Sequence, residues 1–111
     1  MDSFTYVKLE IYIPADIISS LRKALNNANA GRIGNYDNCI SISDVRGYWR
    51  PLEGAQPFDG KCKQISKGSE CKVEVRCKRE NVEGAIKKIR EVHPYEEPVI
   101  NIIPLANHLF E

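Results

Sequence analysis

From Tyr6 to Ile13 apolar and polar residues alternate, with Val7, Leu9, Ile11 and Ile13 on one side and Tyr6, Lys8, Glu10 and Tyr12 on the other. That period of two predicts a half-buried strand. The pattern then lengthens. Pro14 suits a first helical position, and Ile17, Ile18, Leu21, Ala24, Leu25 and Ala28 recur at helical spacing as one apolar stripe. The helix is expected to end near Asn29, where asparagines gather and Gly31 can take the left-handed C-terminal conformation. Ile40 and Ile42 share a face in a second, more diluted strand over Asn38 to Val45. Between Gly47 and Gly60 prolines, glycines and aromatics predict a structured excursion, followed by a short returning strand over Lys61 to Ile65 and a turn at Lys67-Gly68-Ser69.

Clean alternation resumes from Cys71 to Lys78, with Lys72, Glu74, Arg76 and Lys78 on the polar side. Asn81 is a plausible N-cap for a second helix whose inward positions are Val82, Ala85, Ile86, Ile89 and Val92, and Pro94 ends it. Val99 to Ile103 completes the pattern as a last strand. The order strand, helix, strand, excursion, strand, helix, strand is the split βαβ plan. The predicted class is therefore α+β: a ferredoxin-like antiparallel sheet with both helices on one face. Its other face would carry Tyr6, Lys8, Glu10, Tyr12, Lys72, Glu74 and Arg76, a mixture that suits solvent or pairing with a symmetry-related copy.

Composition narrows the picture without changing it. At 111 residues with 42% hydrophobic content the chain fits a single domain over residues 1–111 with a modest core. Sixteen basic and fifteen acidic residues, both scattered, leave a net charge of +1, so a field that would draw nucleic acid or anionic lipid has no obvious source. No apolar run approaches the roughly 20 residues of a membrane span, and the start Met-Asp-Ser-Phe-Thr lacks the features of a signal peptide. A cytoplasmic location is the expectation. The four cysteines, Cys39, Cys62, Cys71 and Cys77, include no Cys-x-x-Cys and no paired histidines. Cys71 and Cys77 share parity with Val73 and Val75 and read as small core hydrophobes.

Three segments stand apart from the periodic elements. In Gly31-Arg32-Ile33-Gly34-Asn35-Tyr36-Asp37-Asn38-Cys39, the glycines permit positive φ or close backbone approach, Arg32 suits an anion and Tyr36 a stacking partner. A helix exit followed by a turn accounts for the same residues. In Arg50-Pro51-Leu52-Glu53-Gly54-Ala55-Gln56-Pro57-Phe58-Asp59-Gly60, Arg50 can pair with Glu53 or grip a phosphate or carboxylate in bidentate fashion. An ordered loop that packs Trp49 and Phe58 is the alternative. His93-Pro94-Tyr95-Glu96-Glu97-Pro98 places one histidine and two carboxylates within five residues, so metal or acid/base chemistry enters consideration. A histidine cation stabilising the helix dipole explains His93 as well, and consecutive carboxylates point apart on extended backbone.

In this order and spacing, the three segments resemble the inserted domain of the Nif-three-like (NGG-one-interacting factor) family, over about Tyr6 to Leu105. The resemblance implies a fold like that of the trimeric PII regulatory and CutA proteins, and hence a homo-oligomer, most simply a trimer. It implies a non-enzymatic ligand-binding or regulatory module with no cofactor, because the flanking segments that carry the family's dinuclear metal centre are not in this sequence. A metal-dependent hydrolase association and a self-associating protein-interaction scaffold are the rival readings. The candidate ligand residues are Arg32, Gly34, Tyr36, Arg50, Glu53, His93, Tyr95, Glu96 and Glu97, with no metal ligand among them. Arg32, Tyr36, Arg50, His93 and Glu96 are expected to converge on one cleft for a small anionic ligand, on the premise that both helices release their loops at one end of the sheet.

Overall fold

The computed structural model describes residues 3–111. Four antiparallel strands, β1 (Tyr6–Ile13), β2 (Ser41–Trp49), β3 (Ser66–Lys78) and β4 (Ile100–Pro104), lie in the order β2-β3-β1-β4, with α1 (Ile18–Asn27) and α2 (Val82–Val92) packed against one face. The alternation in the sequence is reproduced residue by residue. Val7, Leu9, Ile11 and Ile13 are fully buried, and opposite them in register stand Cys77, Val75, Val73 and Cys71. Leu21 and Leu25 of α1 and Ala85 and Ile89 of α2 close the core from above. Each of these side chains removed from water contributes on the order of 1.5–3 kcal/mol for a large aliphatic. The central β1/β3 pair therefore anchors the fold.

Both helices are entered through a 3-10 turn, at Ala15–Ile17 and Arg79–Asn81. Pro14 accordingly sits just ahead of the helical turns in extended conformation, and Asn81 occupies the N-cap of α2 without making a side-chain cap bond. Beyond α1 the chain reverses through Asn29 and Gly31, both at positive φ. Gly31 is required twice over: its φ is +82°, and a Cβ there would lie 3.0 Å from the carbonyl oxygen of Cys39.

The largest departure from the sequence expectation lies in the middle of the chain. β2 does not stop at Val45 but runs to Trp49, and β3 begins at Ser66, so Lys67-Gly68-Ser69 is strand rather than turn. Lys61 to Ile65 forms turns and irregular chain instead of a returning strand. The reason is cross-strand pairing. Gly47 and Gly68, each a turn signal when read locally, stand opposite one another in the ladder. A Cβ at Gly68 would come within 3.1 Å of the Trp49 ring, so this glycine makes room for an aromatic from the neighbouring strand. Residues 66–70 of β3 pair with β2 alone, since β1 ends opposite Cys71. This two-stranded arm lengthens the molecule to 48 Å and raises its radius of gyration to 15.4 Å, against about 13 Å for a compact chain of this length.

Candidate functional site

The third motif segment begins where α2 ends. The His93 backbone N–H closes the helix by donating to Ile89 O at 2.9 Å, and the side chain then turns inward, leaving the residue only 8% exposed. Its Nε2 lies 2.7 Å from the Tyr12 carbonyl oxygen, which can only accept, and its Nδ1 lies 3.2 Å from the Tyr95 backbone N–H, which can only donate. These partners fix a neutral ring protonated on Nε2. Burial holds its pKa below the ordinary histidine value, outweighing the Tyr12 carbonyl and the Glu70 carboxylate, which both favour the charged form. His93 therefore acts as a neutral bracket between β1 and the following loop, not as a cation on the helix dipole. Both ring nitrogens are committed, so neither is free to coordinate a metal.

From that bracket the loop reaches the arm. Tyr95 donates its hydroxyl to Glu70 Oε2 at 3.1 Å, and burial and the nearby Glu70 push its pKa up to about 12, so it remains a donor. Phe58, from the second motif segment, meets the Tyr95 ring at 5.9 Å between centroids. Glu96 Oε1 accepts from the Gln56 backbone N–H at 2.9 Å. Segments separated by about 40 residues are thus clasped at the base of the arm. Phe58 and Glu96 of the clasp are exposed, as are Glu97 and, just after β2, Arg50. Glu53 pairs with Lys63 at 3.7 Å rather than with Arg50. The sequence had marked the clasp's His93, Tyr95 and Glu96. It gave no sign of Glu70, whose place on the polar side of β3 is ordinary, or of the Gln56 amide.

The first segment lies elsewhere. Gly31 N–H donates to Arg76 O, and the segment then enters β2 at Ser41, opposite Glu74. Ile33 and Tyr36 exchange two backbone hydrogen bonds around Gly34, which has φ +56°, and this tight turn leaves Arg32 and Tyr36 exposed. Arg22 Nη1 ties the segment to α1 through Asn38 Oδ1 at 2.7 Å. Arg76 and Glu70 are six residues apart on one strand, so the first segment sits roughly 20 Å from the clasp. The single cleft is therefore divided: His93 and Glu96 belong to the clasp, Arg50 follows the end of β2 beyond the Trp49–Ser66 pair, and Arg32, Gly34 and Tyr36 do not join them within one chain. The physical cause is strand direction. β1 and β3 are antiparallel, so the helix following each returns the opposite way and releases its loop at the opposite end of the sheet.

Cys71 and Cys77 are buried with their pKa values raised by burial, that of Cys77 to about 11, while Cys39 is half-buried and Cys62 exposed; all four are free thiols. Among the described residues no three His, Cys, Asp or Glu side chains converge as a metal site. Among them, too, no helix is long and apolar enough to cross a membrane.

No protein-family model matches the sequence. Among curated proteins, the GTP cyclohydrolase 1 type 2 homolog of Bacillus subtilis (strain 168) is 35% identical over 98 residues, which are 88% of this chain and 26% of that protein. The protein of the same name from Halalkalibacterium halodurans is 36% identical over 100 residues, 90% of this chain and 27% of its own length. The chain thus spans about a quarter of the length of these relatives. Among solved structures, a Bacillus cereus protein related to NIF3 superposes with a TM-score of 0.82 at 30% identity, over 96% of this chain and 27% of that one. The divalent ion tolerance protein CutA1 of Ehrlichia chaffeensis superposes with a TM-score of 0.70 at 20% identity, over 96% of this chain and 86% of that one. The second likeness is one of fold, and it extends over nearly the whole of the smaller protein. In sequence and fold together, the chain is a NIF3-like domain of CutA-like, ferredoxin-like architecture.

Proposed function

We propose that this domain is a non-enzymatic ligand-binding or regulatory module of the PII/CutA-like type, acting in the cytoplasm as a homo-oligomer, a trimer being the simplest assembly. The observation that carries the ligand-binding reading is the clasp at the base of the arm. There two loops with no regular structure are held to each other and to β3 by Phe58–Tyr95, Glu96–Gln56 and Tyr95–Glu70 contacts, and the loop that carries Phe58 and Gln56 begins with the exposed Arg50. Loops fixed by their own side chains are the usual carriers of binding function. Arg50 provides a planar cation for an anionic ligand, and Phe58 of the same loop an exposed apolar surface. Assembly is supported by the two sheet edges, β2 and β4, which are open to solvent along most of their length. Unpaired edges of that kind are natural sites of strand addition.

A thermal-shift screen of small anionic metabolites tests the ligand. A compound present at a hundredfold excess over its Kd adds about 2.7 kcal/mol to stability. Arg50→Ala is expected to abolish that gain while changing the stability of the free protein by less than about 1 kcal/mol. A library that stabilises nothing, or one in which every gain survives Arg50→Ala, refutes the arm-base site. The names of the matched relatives, GTP cyclohydrolase homologs, favour a second reading, in which the domain is associated with a metal-dependent hydrolase. Hydrolase activity that appears only when the domain and such a partner are mixed would favour this reading over the first.

A further inference from the structure

The open face of the sheet keeps a register that solvation alone does not favour. Lys8 stands directly opposite Arg76, and beside them Glu10 stands directly opposite Glu74. Like charges in directly opposed positions destabilise an antiparallel pair. Part of this conflict is relieved diagonally: Lys8 Nζ approaches Glu74 Oε2 to 2.8 Å and Glu10 Oε2 to 3.7 Å. That contact raises the Lys8 pKa and lowers that of Glu74. The lysine is thereby committed to two carboxylates, and the arginine is left over. Among the described residues Arg76 has no carboxylate within ion-pair distance and no side-chain hydrogen bond. Its guanidinium is instead steadied over the Tyr6 ring, 5.2 Å from the centroid, a contact that holds a cation without using its hydrogen-bonding edge.

Arg76 and Lys8 form part of the floor of a trough of about 430 Å³, with Ser41 and Asn107 as polar groups and Ile33 and Leu105 as apolar ones. Pockets for small molecules begin at about 300 Å³. Ile33 comes from the first motif segment, which the arm-base clasp leaves unused, and Leu105 from the chain just beyond β4. Lys8 and Arg76 balance Glu10 and Glu74 in charge, but only Lys8 is paired with them, so the hydrogen-bonding edge of Arg76 is left unused. A planar guanidinium of this kind is suited to the two oxygens of a carboxylate or phosphate.

We propose that this trough is a second, separate site, for a small molecule bearing a carboxylate or phosphate group with an apolar portion against Ile33 and Leu105, and that Arg76 is its principal anion-binding residue. The test is thermal denaturation with inorganic phosphate or citrate as probe, against chloride at matched ionic strength. The expected result is a higher midpoint with at least one of the two anions. Phosphate alone acting points to phosphate esters, citrate alone to carboxylates. Arg76→Gln should raise the half-saturating concentration at least tenfold, whereas Arg90→Gln, on the exposed side of α2, should leave it unchanged. Should Arg76→Gln fail to fold, amide chemical shifts of the wild-type protein titrated with the same anions should move at Lys8, Ser41, Arg76 and Asn107. Stabilisation no greater than by chloride, equal weakening by Arg90→Gln, or shifts confined to the arm base would each overturn the proposal. Loss of the response in Arg50→Ala alone would assign the anion to the arm-base site instead.

Discussion

Replacing His93 by alanine tests the bracket on which the candidate site rests. The substitution removes the donor to the Tyr12 carbonyl and the acceptor for the Tyr95 N–H together. A buried polar group left unpaired costs about 1–3 kcal/mol. Because the loop is only partly buried, the lower half of that range applies to each group, and the pair sums to about 2–4 kcal/mol before the space vacated by the ring is considered. That is a large share of the roughly 5–15 kcal/mol available to a domain. At about 4 °C or more per kcal/mol for a chain of this size, the thermal midpoint should fall by about 10 °C. The bracket also has a pH signature. His93 is held below the ordinary value of 6.5 by burial, so as pH falls the unfolded chain takes up the proton first. The stability this residue contributes is complete above about pH 6.5 and is lost as pH falls through the lower folded-state pKa. Denaturant titrations at pH 7.5 and 5.5 should show wild type losing more stability on acidification than His93→Gln, which cannot titrate. A loss under 0.5 kcal/mol for His93→Ala, or a wild type that gains on His93→Gln at the lower pH, would refute the neutral-bracket assignment.

Three further outcomes are expected. Val75→Asp, at a position 2% exposed in the β1/β3 core, should leave little folded protein, whereas Lys72→Asp on the opposite face should change stability by about 1 kcal/mol or less; equal tolerance in chemical denaturation would contradict the facing of β3. Alkylation under denaturing, non-reducing conditions should modify all four cysteines, and mass spectrometry that finds fewer would reveal a disulfide. Sedimentation at micromolar concentration should show a trimer, and a monomer alone would remove the assembly from the proposed function.

What the sequence determined by itself was the facing of every central element. A period of two placed Val7 to Ile13 and Cys71 to Cys77 inward, and a period near 3.6 placed Leu21, Leu25, Ala85 and Ile89 on the helix stripes, because hydrophobic burial is encoded locally and repeats with backbone geometry. The tertiary structure decided whatever depended on a partner distant in the chain. Gly47 and Gly68 carry turn propensity when read alone, yet they became opposed strand residues because the ladder and the Trp49 ring outweigh a local preference. His93, a helix-ending cation by position, became a buried neutral bracket because its two acceptor and donor partners lie on β1 and in the next loop. The three motif segments were visible as exceptions to periodicity, but their meeting was not. Whether two loops share an end of the sheet follows from strand direction, and the antiparallel β1/β3 pair sends the first segment to one end and the third to the other.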